Sequence, residues 1–346
     1  MGKTPSPFRP TRLATLFIAL FAMLALVTPI QPAISTAAPG DPVAAAAAVE
    51  PAVARIDTVI EYQNALGTGT GIVLDPGGQV LTNYHVVSGA DKVTATVGGR
   101  SYPATLVGYD RRSDVAVLQL LGAGGLPAAP IGDSAALAQG EPVVALGNAN
   151  GSGSPLTREV GTVTTFGRTV SAEDALTGSS DEIDGLIEFA APVRAGDSGG
   201  PVVNGAGQVV GMTTAASVNF RMGPGGKGFA IPINDAMGVA GQIRSGARSG
   251  SVHIGPPVLL GVGVSTQQRS GPGISVRDVM RGGAADQAGL RPGDELTSID
   301  GTALDSATTL TNVLDGHYPG DVVDLTWIDS SGVERTGKAT LAPETS

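Results

Sequence analysis

From Val53 onward the chain is broken into short apolar segments separated by turn clusters every 8 to 15 residues, a rhythm that admits strands and leaves little room for long helices. The pattern predicts strands over Val53–Tyr62, Thr68–Leu74, Val80–Asn83, Lys92–Val97, Ala104–Tyr109 and Val115–Leu120, with Asp75-Pro76-Gly77-Gly78 as a hairpin turn. A second set of six follows over Pro142–Leu146, Glu159–Phe166, Leu186–Ala191, Pro201–Val203, Val209–Thr214 and Gly228–Ile231. Two successive sets of six imply two barrels. The 51 glycines, 24 prolines and only 15% charged residues fit a mainly β chain with many tight turns. Residues 147–156 read as a loop, and so do the acidic, polar residues 171–185.

Asn234 is placed to cap a helix running to about Arg244, and residues 245–257 have the composition of a linker. The remaining residues, 258–346, predict strands near Leu260–Val264, Ile274–Val279, Glu295–Ile299, Val322–Ile328 and Glu334–Leu341, with helices at Ala284–Ala288 and Ser306–Leu314. This is a separate, smaller β module.

The amino terminus carries Lys3, Arg9 and Arg12, then the apolar run Leu13–Val27, then Pro29, Pro32 and small residues to Ala38, which is the order of a secretory signal. Its fifteen apolar residues fall short of the ~20 a spanning helix needs. The expected organisation is a signal over 1–37, cut near Ala37, a tail over 38–52, a first domain over 53–244, a linker over 245–257 and a second domain over 258–346. The expected location is secreted or cell envelope, with membrane anchoring if the signal stays attached.

Loss of residues 1–37 removes three cations and no acid, taking the formal charge from -10 to -13. Such an acidic chain argues against a nucleic-acid partner. It has no cysteine, so the fold is held by burial alone and thiol chemistry is excluded. With three histidines and no cysteine, most metal sites are out of reach as well.

Serine is a poor nucleophile at neutral pH, so hydrolysis through it needs a base, a group that orients the base, and donors for the oxyanion. His85 lies in Thr82-Asn83-Tyr84-His85-Val86-Val87, Asp114 directly before the apolar run Val115–Leu120, and Ser198 in the turn Gly196-Asp197-Ser198-Gly199-Gly200-Pro201. In these roles Ser198 attacks, His85 takes and returns the proton, and Asp114 holds the tautomer. The amides of Gly196 and Ser198 would form the oxyanion hole, where each donor typically stabilises the transition state by roughly 3–4 kcal/mol. Taken singly, a histidine or a glycine-rich turn is more often structural; the order His, Asp, Ser across two six-strand sets carries the assignment. No cofactor and no metal is required.

Gly196-Asp197-Ser198-Gly199-Gly200 also satisfies the G-x-S-x-G pattern of the α/β-hydrolase nucleophile elbow. An elbow needs a helix after the serine and then an acid and a histidine. Here a strand and turn follow, and the only later histidines, His253 and His317, lie beyond residue 245. The elbow reading fails on context.

These segments, together with Gly67-Thr68-Gly69-Thr70-Gly71-Ile72-Val73-Leu74-Asp75 and Gly228-Phe229-Ala230-Ile231-Pro232, resemble the chymotrypsin-fold serine proteases of the HtrA/DegP family, among them the secreted mycobacterial proteases of the PepA type. The resemblance implies a chymotrypsin-like double six-stranded β-barrel with the cleft between the barrels, followed by a C-terminal PDZ domain. In that domain the amides of Leu260, Gly261 and Val262 would receive a peptide's terminal carboxylate while the peptide adds a strand. It also implies cleavage of unfolded or damaged proteins after a small aliphatic residue, and assembly as a homotrimer. Pro192, six residues before Ser198, stands where trypsin-like enzymes carry an acid, so no strong Lys/Arg preference is expected.

The chain departs from the family pattern at several points. Asp197 stands where the family usually has asparagine, and Arg194-Ala195 stands where it has Asn-Pro. In digestive enzymes the matching aspartate pairs with a new amino terminus; no Ile-Val-Gly-Gly activation segment occurs here, so Asp197 needs another partner. The stretch between Tyr62 and Gly67 is too short for a long regulatory loop, and Pro256-Pro257-Val258 replaces the basic residue often found before the carboxylate loop. The expectation is an ATP-independent endopeptidase whose PDZ domain tethers substrate or regulates. The alternative class is a peptide-binding or chaperone-like protein in which hydrolysis is incidental.

Overall fold

Along β1 (Val53–Ile60), Ala54, Ile56 and Thr58 are buried while Arg55 and Asp57 between them are only half-buried, the period-two signature of a strand with one face in a core. In the computed structural model, which describes residues 1–2, 41–60, 65–151, 154–173, 180–214, 226–265 and 272–343, the same alternation builds two barrels and a third sheet. The apolar run Leu13–Val27 and the cleavage position near Ala37 lie outside the described residues. Among the described residues no helix is long and apolar enough to cross a membrane.

The helix α1 (Pro42–Val49) begins at Asp41, whose carboxylate accepts the Val43 amide at 3.0 Å. The first barrel comprises β1, β2 (Ala65–Val73), β3 (Gln79–Thr82), β4 (Lys92–Val97), β5 (Arg100–Asp110) and β6 (Val115–Leu120); pairing of β5 with β6 closes it. A single helical turn, α2 (Tyr84–Val87), follows β3. The second barrel is closed in the order β10-β11-β12-β9-β8-β7, from β7 (Pro142–Gly147), β8 (Thr157–Glu173), β9 (Ser180–Phe189), β10 (Pro201–Asn204), β11 (Val209–Thr214) and β12 (Gly228–Pro232). Val143, Ile187, Phe189, Val202 and Val210 form its core.

Three stretches differ from the sequence expectation. Of residues 171–185, read as a loop, those described, 171–173 and 180–185, extend the pairing of β8 with β9, and residues 174–179 lie outside the described residues. Exposed Glu182 and Asp184 flank buried Ile183, so a period-two pattern was hidden under the acidic composition. Asn234 does not cap α3 (Ile233–Ser245): its side chain donates to Asp133 Oδ1 at 2.6 Å and accepts the Ser134 amide at 3.2 Å, tying the helix to the loop before β7. That helix stops at Gly246, whose φ of 72° supplies the left-handed residue of a C-terminal cap.

The stretch 245–257, of linker composition, contributes β13 (Val252–Ile254), which pairs with β5 in the register His253 to Tyr109. The third module follows with β14 (Val258–Leu259), β15 (Val262–Val264), β16 (Ile274–Val279), α4 (Ala284–Ala288), β17 (Glu295–Ile299), β18 (Thr302–Ala303), α5 (Ala307–Leu314), β19 (Val322–Ile328), β20 (Glu334–Thr340) and β21 (Ala342–Pro343). Its core is built on Leu260, Leu290, Leu296, Leu325 and Trp327. With no cysteine to cross-link the chain, burial carries the fold, each fully buried Leu or Phe side chain contributing ~1.5–3 kcal/mol.

Candidate active site

His85 sits on the one-turn helix α2, with its ring about a third exposed. Asp114 ends the turn from β5 to β6, its amide donating to the Arg111 carbonyl at 3.1 Å. It is one of two non-glycine residues with positive φ among those described, at 52°, a conformation that costs roughly 1–3 kcal/mol and recurs at functional sites. The strain aims the buried carboxylate at His85. The Nδ1 of His85 lies 2.8 Å from Asp114 Oδ2 and 3.0 Å from Oδ1, and the backbone amide of His85 donates to Oδ1 at 3.0 Å. A carboxylate that accepts here makes Nδ1 the donor and leaves Nε2 as the ring's basic nitrogen.

Two residues that sequence reasoning missed complete the environment of Asp114. Thr214, at the end of β11 in the second barrel, donates its hydroxyl to Asp114 Oδ2 at 3.1 Å. Asn83 donates Nδ2 to the Asp114 carbonyl at 3.0 Å. Thr214 lies 100 residues from Asp114 in the chain, and no local pattern marks it.

Ser198 comes from the second barrel, in the turn that enters β10. The Asp197 amide donates to the Arg194 carbonyl at 3.0 Å, and Gly196 at φ 94° occupies the third position of that turn. A positive φ there is the type II arrangement, which favours glycine. A Cβ on Gly196 would also stand 2.9 Å from Ala149 Cα, so side-chain bulk is excluded twice. The Gly196 carbonyl points inward, accepting the Thr70 hydroxyl at 2.6 Å and the Asn148 amide at 3.2 Å. The Ser198 carbonyl accepts the Thr70 amide at 2.8 Å. With both carbonyls engaged by the first barrel, the peptide units around Ser198 are held in one orientation.

The same contacts join the two barrels. The Asn148 amide donates to Thr70 Oγ1 at 3.0 Å, while its side chain bonds Thr68 at 2.9 Å and Arg55 at 2.9 Å. Asn148 is fully buried. The seam is polar because it must orient groups from both barrels.

Asp197 has found its partners. It is 1% exposed; Oδ2 accepts the Arg194 amide at 2.9 Å, and Oδ1 accepts the Ala149 amide at 3.1 Å and the Thr157 hydroxyl at 2.5 Å. Three neutral donors serve where the digestive enzymes use a cation. Gly147 makes room, since a Cβ there would lie 2.1 Å from Asp197 Oδ1.

Pro192 is exposed, with Gly226 packed against it and no acid in its place. In the third module Leu260 is buried, Gly261 has φ 79°, and Val262 begins β15, which lies at one edge of its sheet among the described residues. Half-exposed Met280 stands beside Gly261.

Comparison with known proteins matches this architecture. The family described as "Trypsin-like peptidase domain" matches residues 69–212, and that described as "PDZ domain" matches residues 258–332. The chain is 33% identical over 319 residues to the serine protease PepD of Mycobacterium tuberculosis, covering 88% of this chain and 66% of that protein, a little under two thirds of its length. It is 31% identical over 293 residues to the serine protease Do-like HtrA of Lactococcus lactis subsp. cremoris, covering 80% of this chain and 71% of that protein. A solved structure of the HtrA-type protease AlgW with a tripeptide superposes with a TM-score of 0.50 at 27% identity, over 87% of this chain and 97% of that one. This two-barrel chain with its added sheet therefore belongs to the HtrA-type serine proteases, which join a trypsin-like peptidase domain to a PDZ domain.

Proposed function

We propose that the protein is a secreted or envelope serine endopeptidase that cleaves unfolded or damaged proteins through Ser198, His85 and Asp114. The observation that carries this reading is the 2.8 Å contact of His85 Nδ1 with the strained, buried Asp114. It prepares one ring nitrogen to accept a proton.

In this mechanism Ser198 Oγ attacks the scissile carbonyl carbon as its proton passes to His85 Nε2. The carbonyl oxygen becomes an oxyanion received by the amides of Gly196 and Ser198. The C–N bond then breaks, the leaving amine takes the proton from His85, and water hydrolyses the acyl-enzyme by the same proton route in reverse. The Gly196 amide donates to no acceptor among the described residues, in keeping with that role.

The PDZ domain is proposed to take a peptide carboxyl terminus at Leu260, Gly261 and Val262, the peptide pairing along the edge of β15. The absence of an acid at Pro192 accords with cleavage after small aliphatic residues. Residues 1–37 are proposed as the cleaved export signal, and the assembly as a homotrimer. The test is casein cleavage and fluorophosphonate labelling of wild type and Ser198→Ala. Labelling and cleavage that vanish together in the variant support the reading; casein cleavage that survives in Ser198→Ala overturns it.

A further inference from the structure

Asp315 is the first residue beyond α5 in the PDZ domain. A carboxylate there faces the negative end of the helix dipole, so helix stability alone disfavours it. Its partners lie in the protease domain. Arg111 Nε donates to Oδ2 at 2.6 Å and Nη2 to Oδ1 at 3.3 Å, and the Tyr109 hydroxyl donates to Oδ1 at 2.8 Å. The Asp315 carbonyl lies 3.0 Å from Nδ1 of buried His253.

Around this carboxylate runs a column of rings. Tyr84 stacks on Tyr109 at 4.3 Å, Tyr109 on His253 at 5.0 Å, and His253 on Tyr318 of the PDZ domain at 4.3 Å. The Arg111 guanidinium lies over the Tyr84 ring and that of Arg248 over the Tyr318 ring. Arg111 Nη2 also donates to the Tyr84 hydroxyl at 3.1 Å.

Two residues of this cluster adjoin the proposed triad. Tyr84 precedes His85 on the single turn of α2, and the Arg111 carbonyl accepts the amide of Asp114, closing the turn that gives Asp114 its positive φ. Both elements are short, and Arg111 links them: its guanidinium, 8% exposed, bonds Tyr84 of the first, and its own backbone carbonyl closes the second.

We propose that Asp315 is a positioning residue for hydrolysis, supplied by the PDZ domain: by holding Arg111 and Tyr109 it sets the two turns that carry His85 and Asp114. The inference rests on the assignment of His85 and Asp114 made above. Without the carboxylate, the Arg111 guanidinium loses the two hydrogen bonds to Asp315 that fix it and shifts, releasing Tyr84 and loosening the turn to Asp114. The PDZ domain is then part of the catalytic unit as well as a peptide receptor.

The test uses the whole chain carrying Asp315→Ala, Asp315→Asn or Asp315→Glu, with Asp329→Ala as a control in the same domain. Each is assayed for kcat and KM on a fluorogenic peptide, for the fluorophosphonate labelling rate, and for thermal unfolding. Asp315→Ala is expected to lower kcat and the labelling rate about tenfold or more with KM within about twofold, the pattern of misplaced catalytic groups. Asp315→Glu is expected to recover much of that loss, and Asp329→Ala, whatever it costs in stability, to keep the wild-type kcat and labelling rate. Asp315→Asn preserves shape and gives the same reading if the alanine variant fails to fold. Folded Asp315→Ala or Asp315→Asn with wild-type kcat and labelling overturns the proposal. His85→Ala, run in parallel, tests the triad separately: labelling at the wild-type rate in that variant sinks the assignment of the base whatever the Asp315 variants do.

Discussion

The Arg111 guanidinium grips the Asp315 carboxylate through two hydrogen bonds across 204 residues of sequence, joining the β5–β6 turn of the first barrel to the end of α5. Burial alone would weaken the charge on Arg111; the Tyr84 oxygen and the Asp315 carboxylate reverse that and hold its pKa above the ordinary value. Burial, reinforced by Tyr84 and Asp315, likewise pushes the Tyr109 phenol upward, so it stays protonated and donates.

The pair should therefore couple in stability as well as in catalysis. Arg111→Met leaves a shielded carboxylate without its cation and should destabilise by roughly 2–4 kcal/mol, with Asp315→Asn costing less. In a double-mutant cycle by urea unfolding, the coupling should be about 1–3 kcal/mol. Additive effects would mean the contact contributes nothing as a pair.

Asp114→Asn should preserve the fold, because the amide fills the same volume, while lowering kcat by about 10⁴. The loss arises because asparagine no longer dictates the Nδ1–H tautomer of His85. Circular dichroism and kcat measured on one sample check both halves. Removal of the Thr214 hydroxyl by Thr214→Val should cost far less, since the contacts of Asp114 with His85 persist.

Thr157 touches the turn before Ser198 through Asp197. Thr157→Val removes one of three donors to a buried carboxylate, a loss of about 1–3 kcal/mol, and should slow fluorophosphonate labelling about tenfold. Thr157→Ser should label at close to the wild-type rate, because the hydroxyl is what matters. Equal labelling by the valine and serine variants would remove the turn from the control of Asp197.

Glu188 is largely shielded and faces Lys227 and Arg168, each at 3.1 Å. Burial raises its pKa, but Lys227 and Thr164, with Arg168 behind them, outweigh it and hold the carboxyl below its ordinary 4.5. A depressed folded-state pKa contributes stability above about 4.5 that is lost as pH falls through the lower folded value. Glu188→Gln should lower stability at pH 7 by about 1 kcal/mol, discounted because both cations are half exposed, and the difference from wild type should vanish in acid. Thermal unfolding at pH 7 and pH 3 reads the sign.

Much of the fold was legible in the residues because it rests on short-range physics. Alternation of apolar and polar positions, turns at glycine and proline, and an αL cap at Gly246 are decided within a few residues. Ile183 shows the limit. Its flanking acids, Glu182 and Asp184, made the segment read as a polar loop until its strand pairing with β8 put Ile183 in the core. His253 shows another: a stretch of linker composition became a strand because β5 offered an edge and the Tyr109 ring a stacking face.

The Arg111–Asp315 pair marks the same division. By itself the sequence determined the mainly β class, the candidate roles of His85, Asp114 and Ser198, and the puzzle of Asp197, because each is written in contiguous residues whose chemistry is local. Tertiary structure alone decided that Asp197 is held by Thr157, that Thr214 reaches Asp114, and that Asp315 reaches Arg111. Hydrogen bonds and ion pairs depend on distances of about 3 Å, and only the closure of two barrels and the seating of a third sheet bring residues 40, 100 and 204 positions apart within that reach.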